Sequence, residues 1–240
     1  MIDRIANRLE ACGIPCPPGL PEKLAVYLTL LREWNARMDL TNVAEDEDWI
    51  DRHLCDSLIP LTMDGLIPAH GKLIDVGTGA GFPGLPLAMA CPSLEVTLLD
   101  SQRKRLDFLQ AVIEAADVKN VRLVHARAED GARRKELRAC FDLAVARAVA
   151  PLAVLAEYLL PYVRVGGSAL CWKGPALAEE WEAGKRACFL LGGKALDPIP
   201  APIPGRDWQH CLLPIRKDRA TPAAYPRKAG TPSKSPLGTA

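Results

Sequence analysis

The sequence predicts an α/β fold of Rossmann type, a mostly parallel sheet with helices on both faces and a helical extension in front of it. Three observations predict it. Apolar runs of strand length alternate with helix-length segments from Gly71 to about Arg216. A glycine-rich turn follows the first of those runs. The first 66 residues place their apolar side chains at helical spacing instead.

In the extension, Leu24, Tyr27, Leu28, Leu31 and Trp34 recur with helical period, and Pro21 suits a first helical turn. A further helix is predicted over 47–63, with Ile50, Leu54, Leu58 and Leu61 on one face. Strands are predicted at 72–76, 95–100, 121–124, 141–146 and 167–172, and helices at 84–90, 103–116, 152–160 and 176–191. Prolines 198, 200, 202 and 204 blur the pattern, after which 210–215 reads as an antiparallel edge strand. The chain therefore divides into an extension (1–66), a Rossmann-like core (67–216) and a basic, proline-rich C-terminal segment (217–240).

Composition narrows the function classes. Hydrophobic residues make up 49% of 240 and charged residues 25%, enough for a core and too apolar for global disorder. The net charge of +1 leaves nucleic-acid binding to a local patch. The eight cysteines form no CxxC pair and read as reduced thiols, with no metal site. Neither a signal peptide nor an 18-residue apolar run is present, so the expectation is a cytoplasmic protein without membrane contact. A monomer is expected.

The strongest motif is Leu73-Ile-Asp-Val-Gly-Thr-Gly-Ala-Gly-Phe-Pro-Gly84. An apolar strand ends at Val76, and Gly77, Gly79 and Gly81 let the backbone turn and approach a ligand. This is the carboxyl end of the first strand, where open α/β sheets bind ligands. The second strand closes on Asp100, whose carboxylate can accept from both hydroxyls of a ribose. Gly79-x-Gly81-x-x-Gly84 also matches the dinucleotide fingerprint. That fingerprint opens at the strand end, however, and counting from Gly77 the sixth residue is Phe82. Asp75 is placed to hold a methionine ammonium, directly or through water. The reading is S-adenosylmethionine in a class I methyltransferase fold, with a dinucleotide-dependent oxidoreductase and a small-molecule methyltransferase as alternatives.

Two further positions border this cleft. Arg127-Ala-Glu-Asp130 follows the third strand, as an adenine contact or a solvated turn. Arg147 follows the fourth, facing cofactor or substrate or forming a plain ion pair. His53 is expected to order Asp56 or the helix packing, and His125 to lie on the surface. Six basic residues from Arg216 to Lys234 face only Asp218. Lys173, Arg227, Lys228 and Lys234 are the candidate RNA contacts. Arg227 and Lys228, between Pro226 and Gly230, suggest an ordered turn.

The fuller pattern resembles the bacterial 16S rRNA guanine-N7 methyltransferase family called RsmG or GidB. It rests on Trp34-Asn35 with Leu40-Thr41, Arg52-His53 with Asp56-Ser57-Leu58, and the glycine motif through Ala88. Leu99-Asp-Ser101, Arg127-Ala-Glu129, Arg147-Ala-Val-Ala150, Trp172-Lys-Gly174 and Pro226-Arg-Lys-Ala-Gly230 continue it to about residue 237. Asp39 stands where the family usually has Asn. The resemblance implies methyl transfer to N7 of one guanosine in the decoding-region loop of 16S rRNA, in free RNA or the small ribosomal subunit. It carries cofactor contacts to Gly77, Phe82, Ala128, Glu129 and Arg147. Because guanine N7 has a free lone pair at neutral pH, catalysis is expected to rest on positioning, with no obligatory general base.

Overall fold

The computed structural model describes residues 1–41, 49–147 and 150–239. Helices α1 (Ile2–Ala11) and α2 (Leu20–Met38) form the front of the extension. The apolar stripe of α2 is buried through Leu24, Tyr27, Leu28 and Leu31. Helix α2 ends on Asp39 in the left-handed region, φ 47° and ψ 52°. Asp and Asn tolerate that conformation best after glycine, so Asp39 meets the backbone requirement of this helix end.

The helix expected over 47–63 starts outside the described residues, and its described part changes geometry twice. A π-helical stretch (Ile50–Cys55) passes into the short helix α3 (Asp56–Leu58) and then a 3₁₀ turn (Ile59–Thr62). Pro60, which has no N–H to donate, lies in the last of these. The π stretch is a geometry concentrated at functional sites, and here it carries Arg52 and His53.

The sheet is built from β1 (Gly71–Val76), β2 (Leu94–Asp100), β3 (Val121–His125), β4 (Phe141–Arg147), β5 (Val163–Lys173), β6 (Gly193–Ala195), β7 (Ile199–Pro200) and β8 (Cys211–Lys217). The order is β3-β2-β1-β4-β5-β8-β6, with β7 also on β8. The first five strands are parallel and β8 runs antiparallel to β5. Strand β8 is not the edge expected from the sequence, because β6 and β7 cover its outer side. Those strands are three and two residues long, too short to leave a periodic signal.

Alternate residues of the strands face opposite layers. Leu73, Val96, Leu98, Leu143 and Val145 join one apolar cluster, and Ile74, Val76, Leu99, Ala144 and Ala146 join the other. The connecting helices are α4 (Gly84–Ala90), α5 (Arg103–Ala115), α6 (Ala128–Gly131), α7 (Leu152–Leu159) and α8 (Leu177–Leu190). The first cluster also contains Ile5, Leu9, Leu24 and Leu31, so the extension shares its core with the sheet. The boundary at residue 66 therefore divides the sequence, not the packing.

The boundary at 217 shifts for a similar reason. Lys217 is the last residue of β8 and is buried, its ammonium donating to the carbonyls of Leu160 (2.7 Å) and Leu191 (3.1 Å) and to Thr221. Burial pushes its pKa down to about 7. The following segment is held through its backbone. Arg138 donates to the carbonyls of Tyr225 (2.9 Å) and Thr221 (3.1 Å), and Arg133 to that of Pro226. Gly230, at φ 82°, then starts the single-turn helix α9 (Thr231–Lys234). The ordered turn expected around Arg227 and Lys228 is present. No helix among the described residues is long and apolar enough to cross a membrane.

Candidate functional site

The strand order reverses between β1 and β4, the switch point where doubly wound sheets take their ligands. A cavity of about 520 Å³ opens there at the carboxyl ends of the strands. The turn after Val76 forms its floor. The Gly77 and Thr78 amides donate to the Leu99 carbonyl at 2.8 and 3.0 Å, which ties the turn to β2. Gly79, at φ 59°, lines the cavity, and a Cβ there would meet only the Gly77 carbonyl oxygen, at 4.0 Å. Gly81 lies behind the cavity, where a Cβ would come within 2.6 Å of the Tyr27 hydroxyl and 2.7 Å of Leu109. Of the three glycines expected to meet a ligand, Gly77 and Gly79 do line the cavity, whereas Gly81 is dictated by packing and by its φ of 102°.

Asp75 also faces away from the cavity. It is fully buried, and its Oδ2 accepts from the Thr78 hydroxyl (2.7 Å) and the Gly84 amide (2.9 Å). It thus clamps the two ends of the glycine turn and does not itself line the cavity, where the sequence reading has it hold an ammonium directly or through water. Its Oδ1 is buried without a partner among the described residues. Burial pushes this carboxyl up to about 6, against an ordinary value near ~3.9. The fold holds the proton more tightly than the unfolded chain does, so the group stabilises below about pH 4. That contribution is lost as pH rises through about 6. Between pH 4 and 7, urea unfolding of wild type should lose on the order of 2–3 kcal/mol relative to Asp75→Asn. Parallel pH profiles for the two proteins would show that the carboxyl is not perturbed.

Asp100 is buried at the cavity wall. It accepts from the Gly79 amide (2.9 Å) and the Gln102 amide (2.8 Å), with Arg105 at 3.5 Å. Ala128 and Glu129 open α6 opposite the turn and line the cavity as expected. Phe82 is the aromatic wall. Tyr27 stacks on it with centroids 5.0 Å apart, and His53 with centroids 4.6 Å apart and planes 9° from parallel. The Arg147 guanidinium sits 5.1 Å from the Phe82 centroid.

Arg147 forms more than a surface pair. Its Nη1 donates to the Arg52 carbonyl (2.8 Å) and to the Asp56 carboxylate (2.7 Å), with Ser57 Oγ at 3.2 Å. The other Asp56 oxygen meets His210 Nδ1 at 2.9 Å. His210, which sequence reasoning missed, orders Asp56, and His53 takes the other role expected of it, packing buried against Phe82 and Trp49. His210 and Arg147 hold the buried Asp56 carboxyl below its ordinary range despite desolvation. His53 contacts Thr41 Oγ1 through Nε2 at 3.1 Å, and its Nδ1 has no partner among the described residues. Burial, with Arg147 nearby, lowers its pKa to about 3, so it stays neutral at physiological pH. His125 is exposed, as expected.

The C-terminal segment contributes a wall that the sequence did not indicate. Gly230 and Ser233 line the cavity together with Tyr158. The Gly230 amide donates to Glu129 at 2.7 Å, and Ser233 Oγ meets the Tyr158 hydroxyl at 2.8 Å. Arg227 does not extend to solvent as an RNA contact would. Its guanidinium binds Glu157 (2.7 Å), a carboxylate with no exposure that needs a cation. Lys173 is likewise engaged, donating to Glu180 (2.6 Å) and to the Ala150 carbonyl (3.4 Å). Lys228 and Lys234 remain exposed.

A second cavity, of about 420 Å³, adjoins the first. Arg147 and His53 belong to the walls of both. Arg52, Asp56, Trp172, Lys173, Glu180 and His210 are among its other lining residues.

Comparison with known proteins agrees with this geometry. Among solved structures, TYW2 of M. jannaschii in complex with AdoMet aligns with a TM-score of 0.52 at 14% identity, covering 72% of this chain and 76% of that one. TYW2 of P. horikoshii in complex with MeSAdo aligns with a TM-score of 0.52 at 15% identity, covering 70% and 61%. At such identities the likeness concerns the fold. "Ribosomal RNA small subunit methyltransferase G" from Clostridium botulinum is 46% identical over 235 residues, 98% of each chain. The protein of that name from Clostridium perfringens gives the same identity and coverage. The family model for rRNA small subunit methyltransferase G (GidB) matches residues 21–199. The chain belongs to the rRNA small subunit methyltransferase G family.

Proposed function

We propose that this protein transfers the methyl group of S-adenosylmethionine to N7 of a guanosine in 16S rRNA. The observation that carries the reading is the first cavity, set at the β1–β4 switch in a chain of this family. Its residues suit the cofactor. The volume lies within the ~300–1,000 Å³ usual for small-molecule sites. The backbone at Gly79 is bare on the cavity side. The Asp100 carboxylate, fixed by two amides, can accept from ribose hydroxyls. Gly77 and Gly79 would border the methionyl part, Asp100 the ribose, and Ala128 with Glu129 the adenine. Phe82 and Arg147 would lie toward the sulfonium.

When bound, S-adenosylmethionine supplies an electrophilic methyl group that the N7 lone pair takes directly, the carbon–sulfur bond breaking and its electron pair staying on sulfur. The protein's part is to bring the two together. No group need remove a proton from N7, and a His53 held neutral is in keeping with that. Phe82, stacked between Tyr27 and His53, gives the site a rigid apolar wall. Lys228 and Lys234 are the candidates for phosphate contact, being exposed beside the cavity mouth formed by Gly230 and Ser233. This reading places the protein in the cytoplasm with its rRNA substrate.

The test is incubation of the protein with S-adenosylmethionine and 16S rRNA, as free transcript and as small subunit, followed by nucleoside mass spectrometry. New 7-methylguanosine at one mapped position is the expected result. Its absence from both substrates would refute the reading.

A further inference from the structure

We propose that the second cavity receives the target guanine and that Glu180 reads its Watson–Crick edge; this rests on the N7 methyl transfer proposed above. The methyl group must cross between the contents of two sites, and the two cavities share the wall formed by Arg147 and His53. For N7 to meet the methyl group there, the edge carrying N7 and O6 has to face that wall. The N1–H and 2-amino donors on the opposite edge then point to the far end of the second cavity, where an acceptor is required.

Glu180 supplies one. Its Oε2 accepts from the Leu152 amide (2.7 Å) and the Lys173 ammonium (2.6 Å), which fix the carboxylate in place. Its side chain is 21% exposed and lines the cavity, and among the described residues no hydrogen bond to Oε1 is found. Trp172, held by its indole N–H on the Asp56 carbonyl at 2.7 Å, gives the same cavity a flat apolar side for a base. A carboxylate facing the Watson–Crick edge favours guanine. Adenine offers an acceptor at N1, where guanine has a donor, and would leave the carboxylate unpaired. Lys173 thereby acts on RNA through Glu180, as a positioning residue, rather than by touching phosphate.

The test uses full-length protein and 16S rRNA in which the mapped target guanosine is replaced by inosine, which lacks only the 2-amino group. Wild type should methylate the inosine RNA with kcat/KM lower by about tenfold or more. In Glu180→Gln the amide oxygen keeps the bonds to Leu152 and Lys173, while the amide N–H₂ turns donors toward donors. That variant should lose about tenfold or more on guanosine RNA and discriminate guanosine from inosine by less than about threefold. Its dissociation constant for S-adenosylmethionine, measured by calorimetry without RNA, should stay within about twofold of wild type. Equal use of guanosine and inosine by wild type would overturn the proposal without need of any variant. So would wild-type discrimination retained by a folded Glu180→Gln. Methylation of guanosine N7 with no inosine effect would defeat the pocket assignment and leave the methyl transfer standing; no N7 methylation at all would defeat both.

Discussion

A chain ending at Ala229 binds S-adenosylmethionine about tenfold or more weakly than the full chain, with no RNA present. The C-terminal segment is basic, and its composition alone suggests an arm for phosphate. Its position suggests a second role. Gly230 and Ser233 form one side of the first cavity, and the Gly230 amide donates to the buried Glu129 carboxylate. Truncation removes this wall, frees the Tyr158 hydroxyl from Ser233 and leaves Glu129 without that donor. Loss of about 1.4 kcal/mol corresponds to one decade in affinity, and a lost hydrogen bond to a charged group is worth about 1.5–3 kcal/mol. The cut leaves Arg227 on Glu157, so that buried pair is kept. Calorimetry on truncated and full-length proteins decides the matter, and equal affinities would show that the segment serves RNA alone. The converse variant, Lys228→Ala with Lys234→Ala, removes two exposed cations and leaves the wall in place. It should keep cofactor affinity within about twofold and lower the slope of RNA affinity against salt by roughly one to two phosphate contacts.

The parts of this molecule that were legible in sequence are those whose physics is local. The five parallel strands are apolar runs between turn signals, and helix α4 begins at the residue expected, Gly84, because proline and glycine punctuate the chain there. Gly77, Gly79 and Asp100 were legible because turn geometry and a strand-end acid recur at fixed spacing along one chain segment. The misplaced features depend on partners supplied by other elements of the fold. Asp75 and Gly81 carry the right residue types for ligand contact, yet the Gly84 amide claims one and Tyr27, 54 residues earlier, packs against the other. His53 and His210 are indistinguishable as isolated histidines. Only the fold sets His210 against Asp56 and stacks His53 on Phe82. Arg227 and Lys173 read as phosphate contacts because Glu157 and Glu180, which engage them, come from other elements. The wall made by Gly230 and Ser233 left no local signal, since a glycine and a serine in a proline-rich stretch are what any turn contains.

Replacing Arg147 by Met costs on the order of 3–5 kcal/mol of stability and lowers methyl transfer by about a hundredfold or more. The stability loss follows from Asp56, only 4% exposed, whose Oδ2 would lose its cation and keep only His210, on Oδ1. Removing one partner of a buried pair leaves an uncompensated charge, the costly case. The sign of the pH dependence follows from the same carboxyl. Its folded pKa lies below the ordinary value, so it stabilises above about pH 4 and loses that contribution as pH falls through the depressed value. In Arg147→Met this acid-range loss should diminish, because the coulombic and hydrogen-bond partner that depresses the pKa is gone. The loss of turnover has a separate origin. Arg147 stands in the wall between the two cavities and against Phe82, so its removal loosens the place where acceptor and methyl group must align. The double variant Asp56→Asn with Arg147→Met tells the effects apart. Asparagine carries no charge to strand and can still accept from His210, so most of the stability should return while turnover stays low. Urea unfolding and single-turnover methylation on the same three proteins measure both quantities. A single variant that unfolds within about 1 kcal/mol of wild type would mean that Asp56 does not depend on Arg147, and a double variant that regains wild-type turnover would mean that Arg147 does not join the two cavities.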